Sequence, residues 1–452
     1  MRTAVDAHHR RLPRLLAILL AGGAIGAASP RALGDDLSFE AARALLATRA
    51  DTIKAAQANL QRQEFEVTAA DRLGYPELML NATQVYGRKK FDLSALPIGV
   101  DVYNYDFDGP RSSLLMTWPL YTGGKIDAVQ KLREAELTGA RAELAQTGER
   151  LDFQLVARYF GLRLANVVEG LRQSQLEQAD RQLARSRRFE TMGQVSAVER
   201  LSAQVSRDES ARDLVKARRE RESAEAALAR MLREAGVPRP TSPLFVLTSP
   251  IEPLAVWLSE AEVRNPTLAL IKSKGQAADQ GIAVAKSDRM PQVFAFGQYN
   301  LITKHLTPIE PNWIAGIGVN LKLFGREDHA ATIGAAQARK AQVDALEAEA
   351  VNAIRGSVET AWLRVGQARE QFQLFDSAVE LGRENLRLRE RAFEEGQSVT
   401  LDVNEARNSL TRAETGRAQV AYEFVVALGA LLEASGQIGR FPEFMKRAEV
   451  RL

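Results

Sequence analysis

The chain of 452 residues contains no cysteine, and only four of its residues are histidine. The lack of cysteine excludes disulfide bonds, cysteine-ligated zinc, thiol catalysis and a lipidated N-terminal cysteine, and it fits an oxidising compartment. His305 and His329, the two histidines beyond the first ten residues, have no carboxylate and nucleophile nearby that would resemble a catalytic triad. Glycine-rich phosphate-binding motifs are absent as well. We therefore expect no enzyme activity, no metal site and no cofactor.

Long apolar runs are missing except near the N-terminus. Arg10, Arg11 and Arg14 precede the apolar run 15–28, and small residues follow. A basic segment, a short apolar run and small residues are typical of a secretory signal peptide. We predict this peptide over 1–34, with cleavage near 28 or 34. The run is short for a membrane-spanning helix, although an uncleaved anchor is the alternative.

A strongly basic surface is lacking once the predicted signal peptide is removed. Residues 1–34 carry five arginines and one aspartate, so their removal changes the net charge from +3 to −1. Nucleic-acid-binding proteins concentrate basic residues on one face. The sequence therefore predicts no nucleic-acid partner.

The rest of the chain contains two similar halves, 35–236 and 254–437, which we interpret as two internal structural repeats. Each half reads as a helix, a strand pair, a very long helix, a turn and a further helix. The proline-rich segment 237–253 excludes helix and predicts an extended linker, and 438–452 forms a C-terminal tail. The predicted elements are strand pair 77–121 with helices 125–190 and 197–235, and strand pair 292–324 with helices 327–394 and 400–435.

The predicted long helices are unusual for a globular domain. Leu374, Leu381 and Leu388 are seven residues apart, and similar spacings occur in the first half. A seven-residue apolar spacing is typical of a coiled-coil-like seam. A helix over 125–190, which contains no proline, would reach about 100 Å at 1.5 Å per residue. A spectrin-like bundle would explain these seams, but neither the signal peptide nor the strands.

The segment WIAGIGVNLKLF at 313–324 alternates strictly between two kinds of residue. One face is apolar, and the other carries glycine, asparagine and lysine, which predicts a strand between lipid and water. Strands in lipid must form a closed barrel, and a barrel needs about eight strands. Since four strands are predicted (77–87, 112–121, 292–300 and 313–324), several chains would share one barrel. A hairpin packed on a helix bundle is the alternative. The predicted lipid-facing residues are Trp313, Ala315, Ile317, Val319 and Leu321.

Several motifs, in this order and in duplicate, resemble the TolC family of bacterial outer-membrane efflux proteins. They are Pro76 and Pro291 before the strands, PLYTGGKIDA at 119–128, GQVSAVERLSA at 193–203 and GQSVTLDVNEA at 396–406. The resemblance covers roughly 36–436.

The resemblance implies a mainly α fold with a small β part. Three chains share one transmembrane β-barrel, to which each chain gives four strands. A long coiled-coil-like α-helical barrel extends from it into the periplasm. The implied function is a passive exit duct in the bacterial outer membrane, within a tripartite efflux or type I secretion system. The chain would form a homotrimer, and its partners would be a periplasmic adaptor protein and an inner-membrane transporter. The alternative is a soluble periplasmic or secreted coiled-coil protein of structural or adaptor type.

The same resemblance assigns the turns between the long helices to adaptor docking. A purely structural reading is also available, because glycine ends helices and Ser196 with Glu199 forms a capping box. The predicted docking tips are Gly193, Gln194, Val195, Ser196, Gly396, Gln397, Ser398 and Val399.

Asp402, Glu405 and Glu199 stand where the family has its periplasmic gate. Asp402 and Glu405 share a helix face, and in a trimer they would form an acidic ring that favours cations. Stabilisation of the helix dipole is the alternative role. Glu199 matches an acidic residue that pairs with an arginine of the other tip in the family. Because Ser398 occupies that arginine position, we expect a different latch or a looser closed state.

Overall fold

The protein is described by a computed structural model, which covers residues 36–92, 102–234, 236–307, 309–322 and 328–452. The predicted signal peptide over 1–34 lies outside the described residues. Cleavage near 28 or 34 therefore stays a prediction.

Helices account for most of the described residues. Two of them, 67 and 66 residues long, would each span about 100 Å. No helix in the described ranges is both long and apolar enough to cross a membrane. The helices are α1 (Phe39–Arg49), α2 (Asp51–Asp71), α3 (Lys125–Thr191), α4 (Ala197–Leu232), α5 (Leu254–Arg264), α6 (Pro266–Ser287), α7 (His329–Glu394), α8 (Thr400–Ala434) and α9 (Phe441–Arg447).

Two predicted helix ends were wrong by a few residues. Helix α4 ends at Leu232 instead of 235, because Arg233 adopts a left-handed conformation with φ of 52°. Helix α7 begins at His329 instead of 327, since Asp328 is its N-cap and accepts hydrogen bonds from the amides of Ala330 and Ala331 at 2.8 and 3.1 Å.

The strands form one four-stranded antiparallel sheet and two short pairs. The sheet has the order β2-β3-β6-β7, β1 pairs with β4, and β5 pairs with β8. The strands are β1 (Asp36–Leu37), β2 (Glu77–Asp92), β3 (Val102–Tyr121), β4 (Arg239–Pro240), β5 (Phe245–Val246), β6 (Gln292–Asn300), β7 (Trp313–Asn320) and β8 (Val450–Arg451).

The first hairpin is much longer than the sequence analysis predicted. The pairing of β2 with β3 continues without a break from Glu77↔Thr117 to Asp92↔Val102. The described part of 88–111, which lies between the predicted strands 77–87 and 112–121, is therefore strand. The sequence from 103 to 108 alternates Tyr or Phe with Asn or Asp, which is a strand pattern.

The main hydrophobic core surrounds the middle of the long helices. Phe39, Tyr159, Phe160 and Phe441 are all buried there, and their rings contact one another. The hydroxyl of Tyr159 donates to the carbonyl of Leu37 at 2.6 Å, which satisfies its polar end inside the core. The core thus fixes the helices about halfway between the sheet and the far helix ends.

The predicted linker and tail both belong to this core. Residues 244–247 of the linker are buried, and β5 within it pairs with β8 near the C-terminus. Phe441 and Phe444 of α9 are buried too. Proline excluded helix from the linker as predicted, but 438–452 is not a free tail. Its two phenylalanines carried a core signal that the sequence analysis had not used.

Candidate functional site

The four-stranded sheet has one continuous apolar face. Three of its members, Trp313, Ile317 and Val319, have exposed fractions of 65%, 70% and 68% in the single chain. Their partners on the neighbouring strand β6 are Tyr299, Ala295 and Val293, respectively. An exposed apolar surface of this extent indicates a contact with a membrane or another protein. We call it the apolar sheet face: Leu78, Leu80, Leu114, Met116, Trp118, Val293, Ala295, Tyr299, Trp313, Ala315, Ile317 and Val319.

The structure brings four of the five predicted lipid-facing residues onto this face, namely Trp313, Ala315, Ile317 and Val319. Leu321 was predicted wrongly as part of the strand, because β7 ends at Asn320. Its partner strand β6 begins at Gln292, directly after Pro291, so no paired residue remains opposite Leu321. Proline has no amide hydrogen to extend the ladder.

The opposite side of the sheet is mostly polar, and we call it the polar sheet face. Its members alternate with those of the apolar face along every strand. Its apolar members include Met79, Leu115 and Ile314. Two phenylalanines of β6 also lie on this face, and each pairs with a glycine of β7. The polar sheet face includes Asn81, Thr83, Ser113, Thr117, Gln292, Gln298 and Asn320, together with Phe294, Phe296, Gly316 and Gly318.

The turns after α3 and α7 have the same conformation, as their similar sequences predicted. Gly193 and Gly396 have φ of 71° and 73°. The next amide in each turn, of Gln194 or Gln397, donates to a carbonyl five residues earlier at 2.8 Å. This pattern is a Schellman motif, which favours glycine at the left-handed position. The glycines therefore end the two long helices.

The helices that leave the two turns are capped differently. Ser196 caps α4, and its side chain accepts from the amide of Glu199 at 3.4 Å. Val399 at the start of α8 provides no side-chain acceptor. The carboxylate of Glu199 takes this place and accepts from the amide of Thr400 at 3.2 Å. One tip thus caps the helix of the other tip.

Asp402 makes local contacts in the first turn of α8. The hydroxyl of Ser398 donates to its carboxylate at 2.8 Å, and Arg389 lies 3.7 Å away. The Ser398 hydrogen bond lowers the pKa of Asp402 below its usual value, and the Val399 amide and the charge of Arg389 add to this effect. Glu405 is exposed one turn further along. Ser398, which stands where the family has its latch arginine, therefore orients Asp402.

A small apolar cluster holds α3, α7 and α8 together next to the two turns. It contains Leu386, Phe393, Val403 and Ala406, and Phe189 packs against it from α3. The ring centroids of Phe189 and Phe393 are 6.2 Å apart.

Arg407 was not predicted as a functional residue, but its buried side chain pairs with Glu390 at 2.8 Å. Val403, Ala406 and Leu410 place position 407 within an apolar helical spacing, and this was the available signal. The ion pair joins α8 to α7 close to the tips.

A partly buried carboxylate links α3 to the C-terminal segment. Glu149 accepts from the amide of Ile438 at 2.9 Å. Burial raises its pKa to about 7, and the nearby Asp152 and Glu433 act in the same direction. The described residues contain no group of three or more His, Asp or Glu side chains that could hold a metal ion.

Comparison with known proteins decides the family. The chain matches the model of the outer membrane efflux protein family over residues 43–233 and 257–437. It belongs to this family. The resemblance to the TolC family, the mainly α fold and the outer-membrane location, extending into the periplasm, are thereby confirmed. The family is one of passive outer-membrane channels and is not an enzyme class. The soluble coiled-coil alternative is set aside.

Individual relatives agree with this assignment. Protein CyaE of Bordetella pertussis is 22% identical over 425 residues, which cover 90% of this chain and 85% of CyaE. The CmeC outer membrane channel of Campylobacter jejuni superimposes with a TM-score of 0.76 at 13% identity, covering 91% of this chain and 90% of CmeC. The outer membrane protein VceC of Vibrio cholerae gives 0.75 at 16% identity, covering 88% and 96%. These structures share the fold of this efflux protein.

Proposed function

We propose that three copies of this chain form a passive exit duct across the outer membrane. The duct works with a periplasmic adaptor protein and an inner-membrane transporter in a tripartite efflux or type I secretion system. The observation that carries the proposal is the apolar sheet face on a sheet whose edges are unpaired in the single chain. Within the described residues, β2 pairs only with β3 and β7 only with β6.

An open sheet edge in hydrocarbon is costly, because its amide and carbonyl groups have no water to bind. Successive strands of the sheet are antiparallel, so β7 runs opposite to β2. The β7 edge of one copy can therefore pair with the β2 edge of the next and keep the alternation. Three copies give twelve strands, enough to close a barrel with an aqueous lumen. The apolar sheet face then contacts lipid, and the polar sheet face lines the lumen.

An exposed leucine stripe on α7 supports the same assembly. Leu374, Leu381 and Leu388 have exposed fractions of 73%, 70% and 51% in the single chain. Their seven-residue spacing suits a helix of another copy. Helix α4 offers Leu201 and Val215, which are also exposed.

The exposed side chains of α7 and α4 lie at equal distances along the chain from the glycines at the tips. Leu388 and Leu374 precede Gly396 by eight and 22 residues, and Leu201 and Val215 follow Gly193 by the same numbers. Since both glycines end a long helix at a tip, the pairs lie at equal heights along the duct. The stripe on α7 would therefore pack against α4 of the neighbouring copy.

The tips form the periplasmic gate and the adaptor-docking surface in this proposal. Most of Gly193, Gln194, Val195, Ser196, Gly396, Gln397, Ser398 and Val399 are exposed, and so are available to an adaptor. The hydrogen bond that the Thr400 amide donates to Glu199 holds the two tips of a chain together, in place of the absent arginine pair. Asp402 and Glu405 of three copies would surround the narrow end, and the lowered pKa of Asp402 favours the charged form of its carboxylate in that ring.

The first experiment is the native mass of the protein after detergent extraction of the outer-membrane fraction, followed by conductance in planar lipid bilayers. A detergent-dependent trimer that conducts ions supports the duct. A monomer or dimer recovered without detergent contradicts it, because the apolar sheet face would then lie in water.

A further inference from the structure

Two aromatic rings on the polar sheet face lie across glycines of the neighbouring strand. Phe294 pairs with Gly318, and Phe296 pairs with Gly316. A Cβ atom built on Gly318 would lie 2.5 Å from Cζ of Phe294, and one built on Gly316 would lie 3.0 Å from Cζ of Phe296. The tip of each ring therefore occupies the space that a side chain of β7 would need.

This position requires each ring to lean sideways over the sheet. Paired strands are about 4.8 Å apart, so a phenylalanine that stood upright from β6 would hold its Cζ away from β7. On the other side, β3 places Pro119 and Thr117 opposite Phe294 and Phe296. Both of these residues carry side chains, whereas β7 offers bare backbone. The glycines thus determine the direction in which the rings lie.

Backbone conformation does not explain these two glycines. Neither has a positive φ, so any residue could adopt their extended conformation. Glycine weakens a strand because it adds flexibility and provides no side chain to pack. Space for the phenylalanine rings is the remaining requirement at positions 316 and 318.

We propose that Gly316 and Gly318 keep the rings of Phe294 and Phe296 flat against the barrel wall and thereby set the width of the lumen at the level of these rings. The inference rests on the proposed duct, in which the polar sheet face lines the lumen. Strand β6 begins at Gln292, five residues after α6 ends. The rings therefore lie where the helical part joins the barrel, and three copies bring six of them to this level.

The test is the open-state conductance of single purified trimers in planar bilayers, in which the tips do not close the duct. In Gly318→Ala the new methyl group displaces the Phe294 ring from the wall, so we expect a loss of conductance. The double variant Phe294→Ala/Gly318→Ala removes the displaced ring, and conductance should return to at least the wild-type level. Gly316→Ala should give a smaller loss, since its contact is 3.0 Å instead of 2.5 Å.

Gly297 provides the matched control. It lies in the same sheet, but a Cβ built on it would meet nothing closer than 3.9 Å. We expect Gly297→Ala to conduct like wild type.

Unchanged conductance in Gly318→Ala overturns the inference, and so does a loss that persists in the double variant. If Gly318→Ala fails to assemble, assembly of the double variant still supports the steric link to Phe294, whereas its failure contradicts it. A wild-type protein that forms no conducting trimer is a different result, because it rejects the duct itself.

Discussion

The hydrogen bond that the Thr400 amide donates to the Glu199 carboxylate is the contact that we expect to control opening. Replacement by alanine removes the acceptor at 3.2 Å and leaves the first turn of α8 without a side-chain cap, since Val399 supplies none. Loss of a helix cap costs about 1 kcal/mol, and the part-exposed position of Glu199 keeps the effect near that value.

The effect on the channel is larger if the three copies open together. Three such contacts then contribute about 3 kcal/mol to the closed state, which corresponds to roughly a 150-fold change in the opening equilibrium. The other links between the tips, such as the cluster around Phe393 and the Arg185–Glu394 pair at 3.2 Å, remain in place. We therefore expect Glu199→Ala to raise the open fraction strongly and to leave the trimer assembled.

Open probability of single channels in planar bilayers measures this change. Glu199→Gln retains an acceptor without the charge and should lie between wild type and Glu199→Ala. Glu209→Ala removes an exposed glutamate from the same helix, further from the tip, and should match wild type. An open probability that is equal in Glu199→Ala and wild type, with both trimers intact, would refute the latch.

Three further substitutions test other parts of the structure. Ile317→Arg places a charge on the apolar sheet face and should cost about 2–4 kcal/mol in lipid, so it should abolish outer-membrane trimers. The control Gln298→Arg, on the polar sheet face, should permit trimers. Normal assembly of Ile317→Arg would reject the lipid contact. Leu381→Glu should lower the trimer fraction in native mass measurements, and an undiminished fraction would mean that another surface joins the copies. The pKa of Glu149 is raised to about 7 from 4.5, so the folded state keeps a proton that the unfolded state releases, and the free energy of unfolding falls as pH rises between these values. In Glu149→Gln the fall of Tm over this range should be smaller, although Asp152 and Glu433, whose pKa values are also raised, preserve part of it; an unchanged slope would contradict this assignment.

Periodic features of the structure could be predicted from the sequence. The long helices and the alternating faces of β7 follow from spacing alone, because a helix or strand repeats its environment every few residues. The turns at Gly193 and Gly396 were predictable for a different reason, because glycine at a helix end is a local signal. Leu321 was misplaced because the end of β7 depends on where its partner strand begins. The C-terminal segment was misjudged because its contacts with 244–247 connect residues about two hundred positions apart.

The capping of α8 shows why the site was harder to predict than the fold. The sequence predicts a capping box within one helix, and its Ser196 half is present, because the Ser196 side chain accepts from the Glu199 amide. The same glutamate also reaches the amide of Thr400, about two hundred residues away, and no spacing rule connects these positions. Because Ser398 stands where the family has an arginine, the sequence indicated only that the family's ion pair is absent. It did not indicate which contact replaces that pair. An exposed N-terminus of a helix can be stabilised by any nearby carboxylate. The tips can therefore be joined through the backbone of α8 even though the side chain at 398 carries no charge.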